Sequence, residues 1–295
     1  MMKLAILGAE NSHAWFFAQA VAPKEGKGLF DDIELLGVYA DETTEEGQIG
    51  IKKVKEMSSC TTFAKHYNDF VDEADVVMVT ARHGANHLKF AKEYIKKGIP
   101  VWVDKPITCS VEDVKEMISL AKENNTFLIG GSGLPYIDQM KKLAAVAKEN
   151  METLSGGHVT APVKMENPYG NFWFYTQHLV QMITSVFGYE IKSVCAHKTS
   201  KGVQAVYHYD NFDVSAFFGS GYSVTIYKDE YSLVSEEVDL GDDFYTVEIK
   251  AFYKNLKNGK SDYTDREFTM PVYVLDATIR SFEENKEIVI ENPYK

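Results

Sequence analysis

The residues best suited to chemistry stand in Val101-Trp102-Val103-Asp104-Lys105-Pro106. This short apolar run, bounded by Gly98 and Pro106, predicts a buried parallel strand. An acid, a lysine and a proline sit at its C-terminal end. Open α/β sheets bind ligands in the crevice outside the carboxyl ends of their strands. Proline stops the strand and holds Lys105 extended. A lysine so placed hydrogen-bonds a substrate hydroxyl and eases loss of its proton. The plainer alternative is a surface lysine at a strand end.

A second group lies near the N-terminus. Residues 3–7 form a compact apolar strand and residues 14–21 have helical spacing. Strand, turn and helix open a dinucleotide-binding unit, whose turn is usually G-x-G-x-x-G. Here the turn reads Gly8-Ala9-Glu10-Asn11-Ser12-His13, so only the first glycine is present. Glu10 puts a carboxylate where backbone normally approaches phosphate, and His13 takes the place of the third glycine. Asn11 and Ser12 suit helix capping or hydrogen bonds to an anion. A second strand over 33–40 runs into Asp41-Glu42. An acid there bonds the adenosine ribose hydroxyls of NAD and repels the extra phosphate of NADP. Asp41, followed by Thr43 and Thr44, is equally at home as a helix start. Gly8, Glu10, Asn11, Ser12 and Asp41 are the candidate cofactor contacts from this region, with NAD favoured over NADP.

These residues need a sheet to position them. The spacing predicts helices over 44–57, 66–71, 87–97 and 110–124, and strands over 61–63, 74–80, 101–104 and 126–131. Strands alternating with helices of this length predict a doubly wound parallel sheet with helices on both faces. Ser132-Gly133-Leu134-Pro135 punctuates the chain, giving a dinucleotide-binding domain over 1–131 and a substrate and oligomerisation domain over 132–295. In the second half a helix is expected over 136–149, a strand from 156, a polar loop over 162–170 suited to line a substrate site, and an apolar helix ending near 187. From 192 to 237, short apolar runs alternate with turns at Lys201-Gly202, Asp210-Asn211 and Gly219-Ser220-Gly221, which predicts an antiparallel meander. Its aromatics, Tyr207, Tyr209, Phe217 and Tyr227, suit sheet packing or an oligomer surface. Residues 245–253 read as helix, or as strand leading into helix. A helix is expected over 271–284 with Pro271 in its first turn, then a closing strand or tail over 288–290.

Composition bounds the rest. The chain has 295 residues, enough for two domains. A net charge of −12 argues against nucleic acid, which calls for a basic face. Cys60, Cys109 and Cys195 show neither disulfide nor zinc spacing and fit a reducing cytoplasm. The N-terminal apolar run is too short for a signal peptide, and no stretch is long and apolar enough for a membrane. No metal-ligand cluster is visible, since His13, His83 and His87 lie in separate loops.

Val76-Val77-Met78-Val79-Thr80, then His87, Gly98-Ile99-Pro100-Val101 and Asp104-Lys105-Pro106 resemble the Gfo/Idh/MocA oxidoreductases. In that family a strand ending in T-P precedes a histidine, and a helix, a glycine and a strand lead to E-K-P. This chain departs at Asp104 for Glu, at Ala81 for Pro, in a longer loop before His87 and in the glycine turn. The resemblance implies a Rossmann domain, a second α/β domain with a mostly antiparallel open sheet, and cofactor-binding places for Thr80, His87, Asp104 and Lys105. The family's second domain carries a helix with D-x-x-x-H facing the nicotinamide. His178 fits the histidine, but Phe174 stands where the acid is expected. Tyr175, three residues before His178, reaches the same helix face. The resemblance thus implies Lys105 and His178 as catalytic residues, with Tyr175 added. It implies hydride transfer between a nicotinamide cofactor and a polyol, sugar or related hydroxylated compound, in a homodimer or homotetramer built through the second sheet. Two rivals stay open: a degenerate sugar- or nucleotide-binding sensor, and a dehydratase or glycosidase that uses tightly held NAD transiently.

Overall fold

The computed structural model describes residues 1–219 and 221–294, so Ser220 of the expected 219–221 turn lies outside the described residues. The chain divides into two compact units. The first comprises Met1–Thr108, Glu112–Gly130 and Asp243–Thr264; the second comprises Cys109–Val111, Gly131–Asp242 and Asp265–Lys295.

In the first unit the elements run β1 (Met2–Leu7), α1 (Ser12–Val21), β2 (Ile33–Tyr39), α2 (Glu45–Met57), β3 (Phe63–Ala64), β4 (Val76–Val79), α3 (His87–Lys96), β5 (Val101–Asp104), α4 (Val111–Glu123) and β6 (Leu128–Gly131). The strands form one sheet in the order β3-β2-β1-β4-β5-β6. This is the doubly wound dinucleotide-binding order, with the switch point between β1 and β4. The pairs β1–β2, β1–β4 and β4–β5 are parallel. β4 and β5 are buried along their whole length, as the apolar runs predict for strands covered on both faces. α2 starts where Thr44 accepts a hydrogen bond from Gly47 N at 3.0 Å, with Glu45 and Glu46 in its first turn. The helix expected over 66–71 is instead a run of turns. The Asp69 carboxylate accepts from the backbone N–H groups of Lys65 and His66 at 3.0 and 2.9 Å, which gives the backbone a local alternative to a helix.

The second unit continues with α5 (Asp138–Glu149), β7 (Leu154–Ala161), α6 (Trp173–Phe187), β8 (Ser193–Lys198), β9 (Val203–His208), β10 (Asp213–Phe218), β11 (Ser223–Lys228) and β12 (Tyr231–Glu237). After α7 (Phe244–Asn258) come α8 (Asp265–Glu284) and β13 (Ile288–Val289). The seven-stranded sheet has the order β12-β11-β7-β10-β9-β8-β13. Every pairing is antiparallel except β7 with β10. The 192–237 region is therefore not a plain meander, because β7 is inserted between β10 and β11. α8 begins at Asp265, six residues before the expected start, so Pro271 lies inside it. Acidic Asp265 and Glu267 occupy the first turn, where negative charge suits the helix dipole.

The 132–295 half is not one unit. α7 packs in the first unit, against α1 and β5. Tyr245 stacks on Phe16 with ring centroids 4.1 Å apart, Tyr253 stacks on Phe30 at 4.1 Å, and Phe252 meets Trp102 at 5.9 Å. Tyr253 Oη donates to Asp32 Oδ1 at 2.8 Å and Lys257 pairs with Asp32 at 2.9 Å. The sequence leaves 245–253 open between a helix and a strand leading into one; the structure makes it helix throughout.

Candidate functional site

The turn between β1 and α1 holds its shape without the usual glycines. Gly8 has φ +111°, and a Cβ there would stand 2.3 Å from Ala81 N, so only glycine fits. Gly8 N and Ala9 N both donate to Tyr39 O, at 2.9 and 3.0 Å. The indole of Trp15 donates to Ala9 O at 2.6 Å. α2 approaches so closely that a Cβ on Gly50 would stand 2.0 Å from Ala9 O. The turn is pinned from both strands and both helices that adjoin it.

Its side chains divide the labour. Asn11 caps α1, its Oδ1 accepting from His13 N at 3.4 Å. Its amide nitrogen donates to Asp104 Oδ2 at 2.8 Å. Ser12 Oγ lies 3.4 Å from Tyr245 Oη. Glu10 is half-buried, and its Oε1 accepts from Arg82 N at 3.2 Å. Burial raises its pKa above the ordinary carboxylate value, against backbone hydrogen bonds and the Arg82 charge. Asp41 is exposed at the end of β2, with Oδ1 accepting from Thr43 N at 3.0 Å and from Thr43 Oγ1 at 2.6 Å. The Thr43 hydroxyl, then its backbone N–H, holds Asp41 below the usual range and so keeps it ionised.

Behind the turn lies a buried charge cluster. His13 Nδ1 is 3.1 Å from Asp104 Oδ1 and 3.4 Å from Glu248 Oε2. Asp104 and Glu248 are fully buried and His13 is 5% exposed. The three come from α1, β5 and α7. Burial alone discourages a charged ring, but the Asp104 carboxylate and then Glu248 outweigh it and raise the His13 pKa. Burial likewise opposes ionisation of Asp104, but His13 and then Lys105 overcome it and hold Asp104 low. Sequence reading placed His13 as an odd third residue of the turn; nothing in it pointed to Glu248.

Thr80, His87 and Asp104 were expected to touch cofactor. All three are fully buried. Thr80 Oγ1 donates toward Leu7 O and Gly8 O, at 3.3 and 3.2 Å. His87 holds Ala81 O on Nε2 at 2.7 Å and Ile107 O on Nδ1 at 3.1 Å, which ties the loop after β4 to the loop after β5. Each of the three thus holds backbone or side chains around the turn and the loops after β4 and β5. Lys105, 5% exposed, follows Asp104 and precedes Pro106 through a cis peptide bond.

The second unit presents its own set. α6 is buried over nearly its whole circumference, Gln177, His178 and Gln181 included. His178 Nδ1 meets Ser132 Oγ at 2.7 Å, and that oxygen also accepts from Leu134 N at 3.2 Å. Gln181 Oε1 accepts from Ser132 N at 2.5 Å and from Gln177 Nε2 at 2.8 Å. Ser132 thus fixes the imidazole, a role the sequence did not reveal. Tyr175 flanks His178 at 5.5 Å, Tyr222 at 6.1 Å, and the Lys164 ammonium lies 4.9 Å from the Tyr175 ring centre. Phe174, in the place of the family's acid, packs against Tyr169 at 4.9 Å. Among the described residues, no group of three or more His, Cys, Asp or Glu is arranged to hold a metal ion. Among them, too, no helix is long and apolar enough to cross a membrane.

A sheet of this order with a pinned β1–α1 turn defines a dinucleotide-binding Rossmann unit. Residues 2–131 match the model of the Gfo/Idh/MocA oxidoreductase family, NAD-binding Rossmann fold. No curated protein sequence is significantly similar to this one. Solved structures share the fold from end to end. Myo-inositol 2-dehydrogenase from Lactobacillus plantarum is 15% identical with a TM-score of 0.80, covering 98% of this chain and 99% of its own. Scyllo-inositol dehydrogenase from Lactobacillus casei, solved with NAD(H) and scyllo-inositol, is 13% identical with a TM-score of 0.77, covering 98% and 99%. The WlbA dehydrogenase from Chromobacterium violaceum, solved with NADH and UDP-GlcNAcA, is 14% identical with a TM-score of 0.75, covering 99% and 97%.

Proposed function

We propose that this chain is an NAD-dependent dehydrogenase acting on a CH–OH group of a polyol, sugar or related hydroxylated compound. The observation that carries the reading is the buried His178, held by Ser132 at 2.7 Å on a helix buried over nearly its whole circumference. An imidazole whose ring is fixed by a second residue is suited to moving a proton near neutral pH. Inositol and nucleotide-sugar dehydrogenases among the structural neighbours support the substrate class. Gly8, Asp41 and the N-terminus of α1 fit a dinucleotide, since the Gly8 turn leaves no room for a Cβ and Asp41 is exposed and ionised. The nicotinamide, when bound, supplies the hydride chemistry. Lys105 holds the substrate oxygen and lowers its proton affinity, while His178 takes the hydroxyl proton and Tyr175 lines its flank. A homodimer or homotetramer through the second sheet belongs to the same proposal.

The competing reading, a binding protein without turnover, is favoured by one observation: the Glu10 carboxylate in the phosphate turn. Calorimetric titration with NAD, NADH, NADP and NADPH, on protein checked for retained nucleotide, separates the two. Tight binding of NAD or NADH, followed by turnover in a polyol and sugar screen, is the expected result. Binding of none of the four to folded, nucleotide-free protein would favour the sensor. Asp41 is expected to set the preference against NADP by roughly tenfold or more through like-charge repulsion, and Asp41→Ala should narrow it. An unchanged NAD-to-NADP ratio in Asp41→Ala would remove Asp41 from the ribose site.

A further inference from the structure

We infer that a nicotinamide dinucleotide binds this chain with uptake of one proton, carried by Glu10; the inference rests on the dinucleotide site proposed above. The turn is fixed by the two hydrogen bonds to Tyr39 O, by Trp15 on Ala9 O and by Gly50 against Ala9, so Glu10 has no backbone freedom to leave it. Pyrophosphate sits at the N-terminus of the first helix in such units, where backbone N–H groups and the helix dipole favour an anion. A carboxylate in the same turn sets two anions side by side in a partly desolvated place. One of them must be neutralised.

The groups facing Glu10 favour the proton there. Arg82 donates its backbone N–H to Oε1 at 3.2 Å, but its guanidinium also lies 3.7 Å from the Glu46 carboxylate of α2. Glu46 and Tyr39 add no positive charge. Burial already weakens the ionised form of Glu10 in the free chain, and an adjoining phosphate weakens it further. The proton comes from solvent and turns the carboxylate into an O–H donor for a phosphate oxygen, where a glycine would offer only backbone. No redox step is involved.

The test is isothermal calorimetry with NAD, in pairs of buffers of different ionisation enthalpy, from about pH 6 to about pH 8.5. The expected result is uptake approaching one proton, with Kd rising by up to about tenfold per pH unit once free Glu10 is ionised. Glu10→Gln, close in shape and uncharged, is expected to bind NAD without proton uptake, with a flat pH profile and more tightly at the alkaline end. This variant also separates Glu10 from His13, the other titrating group of the turn. NAD binding to the unmodified chain with no uptake overturns the inference and leaves the dinucleotide site standing. Uptake that persists in Glu10→Gln overturns the assignment to Glu10. Absence of NAD binding by both chains overturns the functional reading, and this inference with it.

Discussion

His13→Ala is expected to destabilise the protein by about 3–5 kcal/mol, the cost of breaking a buried ion pair from one side. The imidazole is the group between Asp104 at 3.1 Å and Glu248 at 3.4 Å, both fully buried. Alanine leaves the two carboxylates facing a cavity. Asn11 still donates to Asp104 Oδ2, so Asp104 keeps part of its solvation. The pH dependence carries the signature of the pair. The folded-state pKa of His13 is raised from about 6.5, so its stabilisation is complete below that value and is lost as pH rises through the higher, folded one. The folded-state pKa of Asp104 is lowered from about 3.8, so its share is present above that value and is lost as pH falls through the lower one. Denaturant midpoints measured across pH should therefore fall on the alkaline side in the unmodified chain, and that slope should vanish in His13→Ala. A midpoint and slope unchanged by the substitution would show that the cluster contributes no net stability.

Lys105→Met should lower kcat by roughly 10²–10⁴-fold on the first substrate the screen yields, the usual range for a group that assists proton transfer. Methionine keeps an unbranched apolar stem of similar reach and removes the ammonium. The side chain is nearly buried and follows Asp104, whose low pKa it helps to maintain, so a small loss of stability accompanies the larger loss of rate. Thermal unfolding of the variant measures the first and initial rates measure the second. Near-normal turnover by a folded Lys105→Met protein would end the assignment of Lys105 to the chemistry.

The parallel sheet was legible in the sequence because β4 and β5 are continuous apolar runs that no surface strand tolerates, and because glycine or proline bounds β5. The strands of the second sheet were legible as runs, but their order was not. Nothing local marks β7 as the strand that parts β10 from β11, since that pairing is made between residues far apart in the chain. Pro271 misled because proline commonly opens helices, and only the elements around α8 reveal that it is an interior residue here. At the candidate site, Lys105 stood out through its type at the end of an apolar strand, and His178 through the family resemblance. Ser132 did not, because a serine after a strand looks like loop punctuation until the imidazole is found on it. Thr80, His87 and Asp104 were expected as cofactor contacts through the resemblance alone, and their partners in Leu7, Gly8, Ile107, Asn11 and His13 lie too far off in the chain for spacing to reveal. Glu248 of α7 was invisible because the segment around it was left open between helix and strand, and nothing local ties it to α1 and β5, far back in the chain.

That helix has a consequence in time. Strands β1–β6 leave the ribosome first, and β7–β12 follow before α7 is made. Until then Phe16, Phe30 and Trp102 lack the aromatic cover of α7, and His13 has one carboxylate neighbour instead of two. The first unit can thus finish folding only after β7–β12 of the second have been made. The nascent chain carries an open apolar seam through most of its own translation, which is the interval in which chaperones have something to hold.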